Sequence, residues 1–267
     1  MYGFSVLLHG VTASFREPSA HLYQATLPLP PVSALVGMAG AALGRTFEDV
    51  WRFAKNVGFC VGVSGTSEGK GIDLWNYHKM AAPKGAQETA QARQYNLSKI
   101  VRRDILNREF LVYPKITVFY AMQSDGHAET LRKAFTDPVY ALSLGNSDDI
   151  VCVKRISAVC EVKAVDESTA FSDTCVVGDR ADDVQIDWDM LKRTGVAQTL
   201  KAPLVRPLIV DFEFKGMERH GSRFQLFTFL SGPQRLMHPQ LAFRFAEAVA
   251  PIPLYGLAGE ISNGVSE

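Results

Sequence analysis

The sequence predicts an α+β fold, and three observations carry the prediction. Phe4, Val6 and Leu8 alternate with less apolar neighbours at the N-terminus, the period-two pattern of a half-buried strand. A run from Ser33 to Gly44 places Gly37, Gly40, Ala41 and Gly44 at three- and four-residue spacing, the pattern of a helix with one face stripped of bulk. Strand-like and helix-like patterns then return between residues 109 and 153.

Taken in order, residues 4–15 are read as the first strand. Pro28, Pro30 and Pro31 interrupt regular pairing, and Ser33 is the expected N-cap of a helix reaching Gly44, its glycines letting it lie close against a sheet. Phe47–Val57 follows as a second helical piece, with Val50, Trp51 and Ala54 at helical spacing, and Phe59, Val61 and Val63 alternate as a second strand. From Gly65 to Asn107 no periodicity holds. So long a structureless stretch inside a compact chain is usually functional, and it is read as a projecting hairpin inserted at about residues 65–108. Glu109–Tyr120 reads as a strand with Pro114 at an edge or bulge, and His127–Phe135 as a helix ended by Asp137-Pro138. Val139–Leu144 is the next strand, Gly145-Asn146-Ser147 a turn, and Ile150–Val153 a further strand. Without the hairpin this is the β-α-β-β-α-β split arrangement of ferredoxin-like and RNA-recognition folds, assigned to residues 1–155. Residues 156–267 are read as a smaller β-rich region: a strand at Ile156–Val165, an acidic loop from Asp166 to Asp189, and strands at Leu204–Phe214 and Arg223–Phe229.

Composition narrows the function classes. With 267 residues, 47% apolar and 21% charged, the chain has ample material for a core. Its longest apolar run, Ser33–Gly44, is about half of the roughly 20 residues needed to cross a bilayer, so no membrane role is expected. No secretory signal is read at the N-terminus, and Cys60, Cys152, Cys160 and Cys175 form no C-x-x-C pair. Reduced thiols in the cytoplasm are the expectation. Six histidines stand singly, and neither H-E-x-x-H, a P-loop nor G-x-S-x-G occurs. No metal or cofactor is expected.

Lys+Arg equals Asp+Glu at 28 each, yet residues 70–120 carry nine basic against four acidic residues and residues 121–189 six against fourteen. Binding to a polyanion follows the local field, so the first of these segments is the candidate. Trp75, Tyr77, His78 and Lys79 open the arm, and Arg93, Tyr95, Lys99, Arg102, Arg103 and Arg108 occupy its second half. Cations meet phosphates while aromatic faces stack on unpaired bases, a combination suited to single-stranded RNA. Phe15-Arg16, the free N–H groups near Ser33, Lys115 and the Gly145-Asn146-Ser147 turn are further candidate RNA contacts. For these, ordinary packing and turn chemistry is an equal reading on spacing alone. Two enzymatic readings also stay open. One is a metal-independent endoribonuclease using His78 with Lys79 and Tyr113 with Lys115; the other is an unrelated ferredoxin-like enzyme acting on a small molecule.

The run Ala13-Ser14-Phe15-Arg16-Glu17-Pro18, the run from Thr26-Leu27-Pro28-Leu29-Pro30-Pro31 through Gly44, and the later segments Phe110–Pro114 and Tyr140–Asp149 resemble the Cas-five family. These are CRISPR-associated RAMP subunits of type I Cascade-type effector complexes, and the resemblance covers about the first 155 residues. It implies a ferredoxin-like body with a hairpin thumb, and a non-catalytic, single-copy subunit that caps the 5′ handle of the guide crRNA. It further implies a backbone subunit and a large subunit as neighbours, with target DNA met only through the complex; the acidic segment 121–189 is read equally as a face for such a protein or as an ordinary solvated loop. Type I-C members, which cut precursor RNA, carry Thr-Pro-Ser-Ala-Ala-Arg-Gly at the first helix. Here Pro31-Val32-Ser33-Ala34-Leu35-Val36-Gly37 lacks the arginine before the glycine, a departure that places the chain nearer the type I-B or I-D members.

Overall fold

The computed structural model describes residues 1–20, 23–80, 100–194, 201–216, 218–246, 248 and 250–257. Its central sheet is built from β1 (Tyr2–Gly10), β4 (Cys60–Thr66), β7 (Lys115–Met122) and β8 (Val151–Ile156), with every neighbouring pair antiparallel. Their spatial order is β4-β7-β1-β8, so the first and third of them in sequence lie at the centre. The short strands β9 (Cys160–Glu161) and β16 (Tyr255–Gly256) add to β1 and β4.

Alternation explains why one face of this sheet is core. Phe4, Val6 and Leu8 of β1, Ile116, Val118 and Tyr120 of β7, and Val61 and Val63 of β4 are buried together on one side. Helices α1 (Val32–Leu43) and α3 (Asp125–Thr136) cover them with Leu35, Val36 and Ala39, and with Ala128, Leu131 and Phe135. Each large side chain so buried contributes roughly 1.5–3 kcal/mol. The Tyr120 hydroxyl, fully enclosed, donates to the Leu35 carbonyl at 2.9 Å, and burial pushes its phenol well above the usual range. The opposite face of the sheet is also covered: Cys60, Phe119 and Ala121 pack against Val162, Phe243, Phe245 and Leu254 from the second half of the chain.

Several expectations need correction. Ser33 is not the cap of α1; Pro31 is, without a side-chain hydrogen bond, and Ser33 lies half-buried inside the first turn. The start of α1, at Pro31, Val32 and Leu35, lines a pocket with the apolar side chains of Val63, Leu208, Phe227 and Leu254. The glycine-rich face of α1 serves a neighbouring helix rather than a sheet: a Cβ on Gly40 would lie 2.8 Å from Val50 of α2 (Phe47–Asn56). The reading of 109–120 as one strand fails at Tyr113, where φ is 45°, and the chain passes from one sheet to another. Val139–Leu144 is not a strand, because Val139 and Tyr140 donate instead to the Ala42 and Ala41 carbonyls at the end of α1.

The acidic stretch is likewise structured rather than a loop. It contains the end of β10 (Lys163–Ser172), β11 (Cys175–Val177), a 3-10 turn at Ala181–Asp183, β12 (Val184–Ile186) and the start of α4 (Trp188–Thr194). Two of its acids are internal partners: Asp183 accepts from the His238 backbone N–H and Asp187 from Arg235. Long strands β13 (Lys201–Lys215), β14 (Glu218–Ser231) and β15 (Pro233–Arg244) complete this part. It is tied to the first half through Asp211, which accepts from Trp51 and Lys55 of α2. The four cysteines form no disulfide, and burial pushes the Cys60 thiol up to about 11.

Candidate nucleic-acid interface

The aperiodic arm is a two-stranded ribbon. Strands β5 (Gly69–Met80) and β6 (Ile100–Val112) pair antiparallel from Gly69 opposite Val112 to Met80 opposite Ile100. At about 3.3 Å per residue, thirteen residues of β6 reach roughly 43 Å. Among the described residues, further strands support the root alone: β2 (Thr12–Ala13) pairs at Leu111 and Val112, and β3 (Tyr23–Gln24) at Asn107 and Arg108. Along the ribbon Ile72, Leu74 and Ile105 are exposed, so the sequence there has no fully buried face to impose alternation.

Register sets the cations of the arm opposite one another. Lys79 faces Arg102, His78 faces Arg103, and Tyr77 faces Asp104. Like charges directly across a ladder are unfavourable in isolation, a cost that a bound polyanion would offset. The side chains of these residues, and Arg93, Tyr95 and Lys99 altogether, lie outside the described residues.

At the root, Glu109 joins three pieces of chain. Its carboxylate accepts from the Tyr23 hydroxyl, the Thr26 backbone N–H and Lys70, each at 3.0 Å. Burial raises its pKa, but those three donors outweigh that and hold the carboxyl below its usual value. Lys70 also donates to the Thr26 carbonyl. Sequence reasoning missed Glu109; an isolated acid directly after Arg108 in a basic stretch was the available signal.

Beside this junction lies a pocket of about 140 Å³ whose walls include Arg16, Trp75, Arg108, Asn146 and Ser14. The first four were all predicted from sequence, and the fold brings them together from three separate segments. Arg108, on the same face of the ribbon as Trp75, sits with its guanidinium carbon 4.2 Å from the centre of that ring, a cation–π contact. It is 7% exposed. Its Nη2 lies 3.4 Å from Asp148 and 3.9 Å from Asp73, while among the described residues no group accepts from its Nε or Nη1. Phe15 differs from the expectation of a strand-end contact, since its ring is in the core at 3% exposure; Arg16 next to it is exposed.

The turn Gly145-Asn146-Ser147 forms another wall and is held in place by chemistry the sequence did not reveal. Buried Asp149 accepts from the hydroxyls of Thr12 and Ser14, and Asn146 Nδ2 donates to Ser14 Oγ at 2.9 Å. Gly145 has φ 108°, and a Cβ there would lie 1.8 Å from the Ser14 carbonyl oxygen, so only glycine lets the turn press this closely. Ser147 is exposed at its tip. Lys115 does not join the pocket. It lines a separate open cleft of about 460 Å³ with His9, Val11, Tyr113, Ile150 and Lys154. No group of three or more His, Cys, Asp or Glu side chains among the described residues is placed to hold a metal ion.

The family described as CRISPR-associated protein (Cas_Cas5) matches residues 5–199 of the chain. Among solved structures, a crystal structure of a CRISPR protein from Archaeoglobus fulgidus is 14% identical, with 95% of this chain and 99% of that chain covered and a TM-score of 0.52. At that identity the likeness concerns the fold alone. A chain described as a CRISPR RNA-guided surveillance complex is 19% identical, covering 88% of this chain and 90% of that one, with a TM-score of 0.45. No curated protein matches the sequence.

Proposed function

The chain belongs to the CRISPR-associated Cas-five family, and from that premise we propose that it is a non-catalytic crRNA-binding subunit of a type I Cascade-like effector complex. In this reading it caps the 5′ handle of the guide and meets a backbone subunit and a large subunit, nearer the type I-B or I-D members than type I-C. The central order β4-β7-β1-β8, with α1 and α3 on one face, is read as the ferredoxin-like split sheet of residues 1–155, and the remaining strands as the β-rich region that backs it. The observation that carries the reading is the ribbon itself: a long two-stranded arm with cations in cross-strand register, rooted at a pocket of two arginines and a tryptophan. Because the sheet face opposite the helices is occupied by Phe243, Phe245 and Leu254, the unpaired strand is read as lying on the arm and its root and not on that face.

The test is the salt dependence of binding to a repeat-derived single-stranded RNA. Replacing Arg102 and Arg103 with Ala is expected to weaken binding and lower the log–log salt slope by about 1.4, since each neutralised phosphate contributes roughly 0.7 on single strands. An unchanged slope contradicts the role of the arm.

One observation favours the endoribonuclease as a second reading. His9 and Lys115 are direct cross-strand partners and share the open cleft with Tyr113, a set containing a base, an acid and a cation for metal-independent strand cleavage. His78 and Lys79 are placed elsewhere, on the ribbon. Cleavage of repeat RNA by the isolated protein in chelator, lost in Tyr113→Phe and Lys115→Ala, supports this reading; intact RNA after long incubation removes it.

A further inference from the structure

We propose that the pocket at the root of the ribbon holds a single nucleotide of an unpaired strand, its phosphate group between Arg16 and Arg108 and its base against Trp75. The inference rests on the RNA-binding reading above and narrows it to one nucleotide and three side chains.

Arg108 is the starting point. A guanidinium more than nine-tenths buried, with Nε and Nη1 lacking acceptors among the described residues, is an unfavourable arrangement for a folded protein by itself. Its carboxylate neighbours do not complete it, because Asp148 and Asp73 reach only Nη2, at 3.4 and 3.9 Å, and both are more than half exposed. What this site wants is an oxygen-rich anion, and a phosphate presents several oxygens to one guanidinium.

Arg16 supplies a second cation on the wall of the same pocket, exposed and with no ion pair to a described residue. The one acid on the pocket wall, Glu109, has its carboxylate engaged by Tyr23, Thr26 and Lys70. Asp148 and Asp73 meet Arg108 only at Nη2, so its Nε and Nη1 are the donors left for an anion in the pocket.

Two features separate a nucleotide from a free phosphate. Trp75 already bears Arg108 over its ring and is 36% exposed, leaving aromatic surface for a base to stack on. Asn146, fixed by its bond to Ser14, keeps a side-chain carbonyl oxygen for a base amine or a ribose hydroxyl. A cavity of about 140 Å³ takes the phosphate end of one such unit and not a stack of them, with the base lying over the exposed part of the Trp75 ring.

The experiment uses the full chain with Trp188→Phe as background, so that the fluorescence of Trp75 is read against the buried Trp51. The probes are adenosine 5′-monophosphate, adenosine, inorganic phosphate and a repeat-derived single-stranded RNA. The expected result is quenching by the mononucleotide and the RNA, with adenosine and inorganic phosphate each at least tenfold weaker. Arg16→Ala, an exposed change that leaves folding intact, and Arg108→Gln are each expected to weaken mononucleotide binding about tenfold. Equal binding of inorganic phosphate and the mononucleotide overturns the claim for a nucleotide. RNA binding that is lost with Arg102→Ala/Arg103→Ala but unchanged in Arg16→Ala, Arg108→Gln and Trp75→Ala overturns the pocket and leaves the arm standing. If the unaltered protein binds no RNA, the parent reading and the pocket fall together.

Discussion

The pocket at the root of the ribbon and the open cleft around Lys115 lie on either side of one tethered loop, with Asn146 in the wall of the first and Ile150 in the wall of the second. Both collect basic side chains, but they do so in different solvents. In the pocket Arg108 is shielded from water and pressed onto Trp75; in the cleft Lys115 and Lys154 are exposed. A charge pair about 4 Å apart is worth roughly 1 kcal/mol in bulk water and about four times that near a protein surface of effective dielectric 20. The comparison teaches that basic residues of equal count are not equal sites.

The change expected to break this comparison most severely is in the loop that separates the two sites. Gly145→Ala puts a Cβ where the Ser14 carbonyl oxygen stands and forces φ 108° on a residue that disfavours it. A loss of about 3 kcal/mol is expected, with both sites disturbed. Thermal unfolding checks it, and a shift of less than 1 °C contradicts the tether.

Glu109→Gln comes next. It removes the charge that Lys70 pairs with at 3.0 Å, and about 1–2 kcal/mol is expected to be lost from the root of the ribbon. The pocket is affected and the cleft is not. The pH dependence has a definite sign. The folded pKa of Glu109 is depressed, so its contribution is fully present above the unfolded value of about 4.3 and is lost as pH falls through the folded value. Hydrogen exchange of the ribbon amides is expected to be insensitive to Glu109 ionisation between pH 5 and 8 and to show loosening only below about pH 4. The Gln variant is expected to lack that acid step.

The smallest effect belongs to the cleft. Lys154→Ala is expected to reduce RNA affinity no more than about threefold, with a salt slope lower by about 0.7. A tenfold loss reverses the ranking of the two regions.

How much of this was legible depended on whether a segment has one buried face. Phe4, Val6 and Leu8 announce β1 because their partners on that side are core. Val50, Trp51 and Ala54 mark α2 for the same reason, as it lays that stripe on the body. The ribbon gives no such signal: Ile72, Leu74 and Ile105 stand in solvent, so β5 and β6 were visible only as a gap between periodic segments. The strand β15 was missed because its pairing with β10 is irregular, with register shifts at Val165/Ser168 and Ser168/Ala170 that blur alternation. In the pocket, Arg16, Trp75, Arg108 and Asn146 were named from residue type. Their convergence depends on Asp149 binding hydroxyls more than 130 residues earlier in the chain, a long-range contact that local pattern does not encode.

The central claim is that an unpaired strand lies along the ribbon and enters its root. Ultraviolet crosslinking of the protein to copurified guide RNA, followed by mass mapping of nucleotide adducts, tests it most directly. The account predicts adducts on the peptide carrying Trp75 and Tyr77, all to nucleotides of the 5′ handle. Adducts confined to peptides of the cleft around Tyr113, with none on the ribbon, would contradict it.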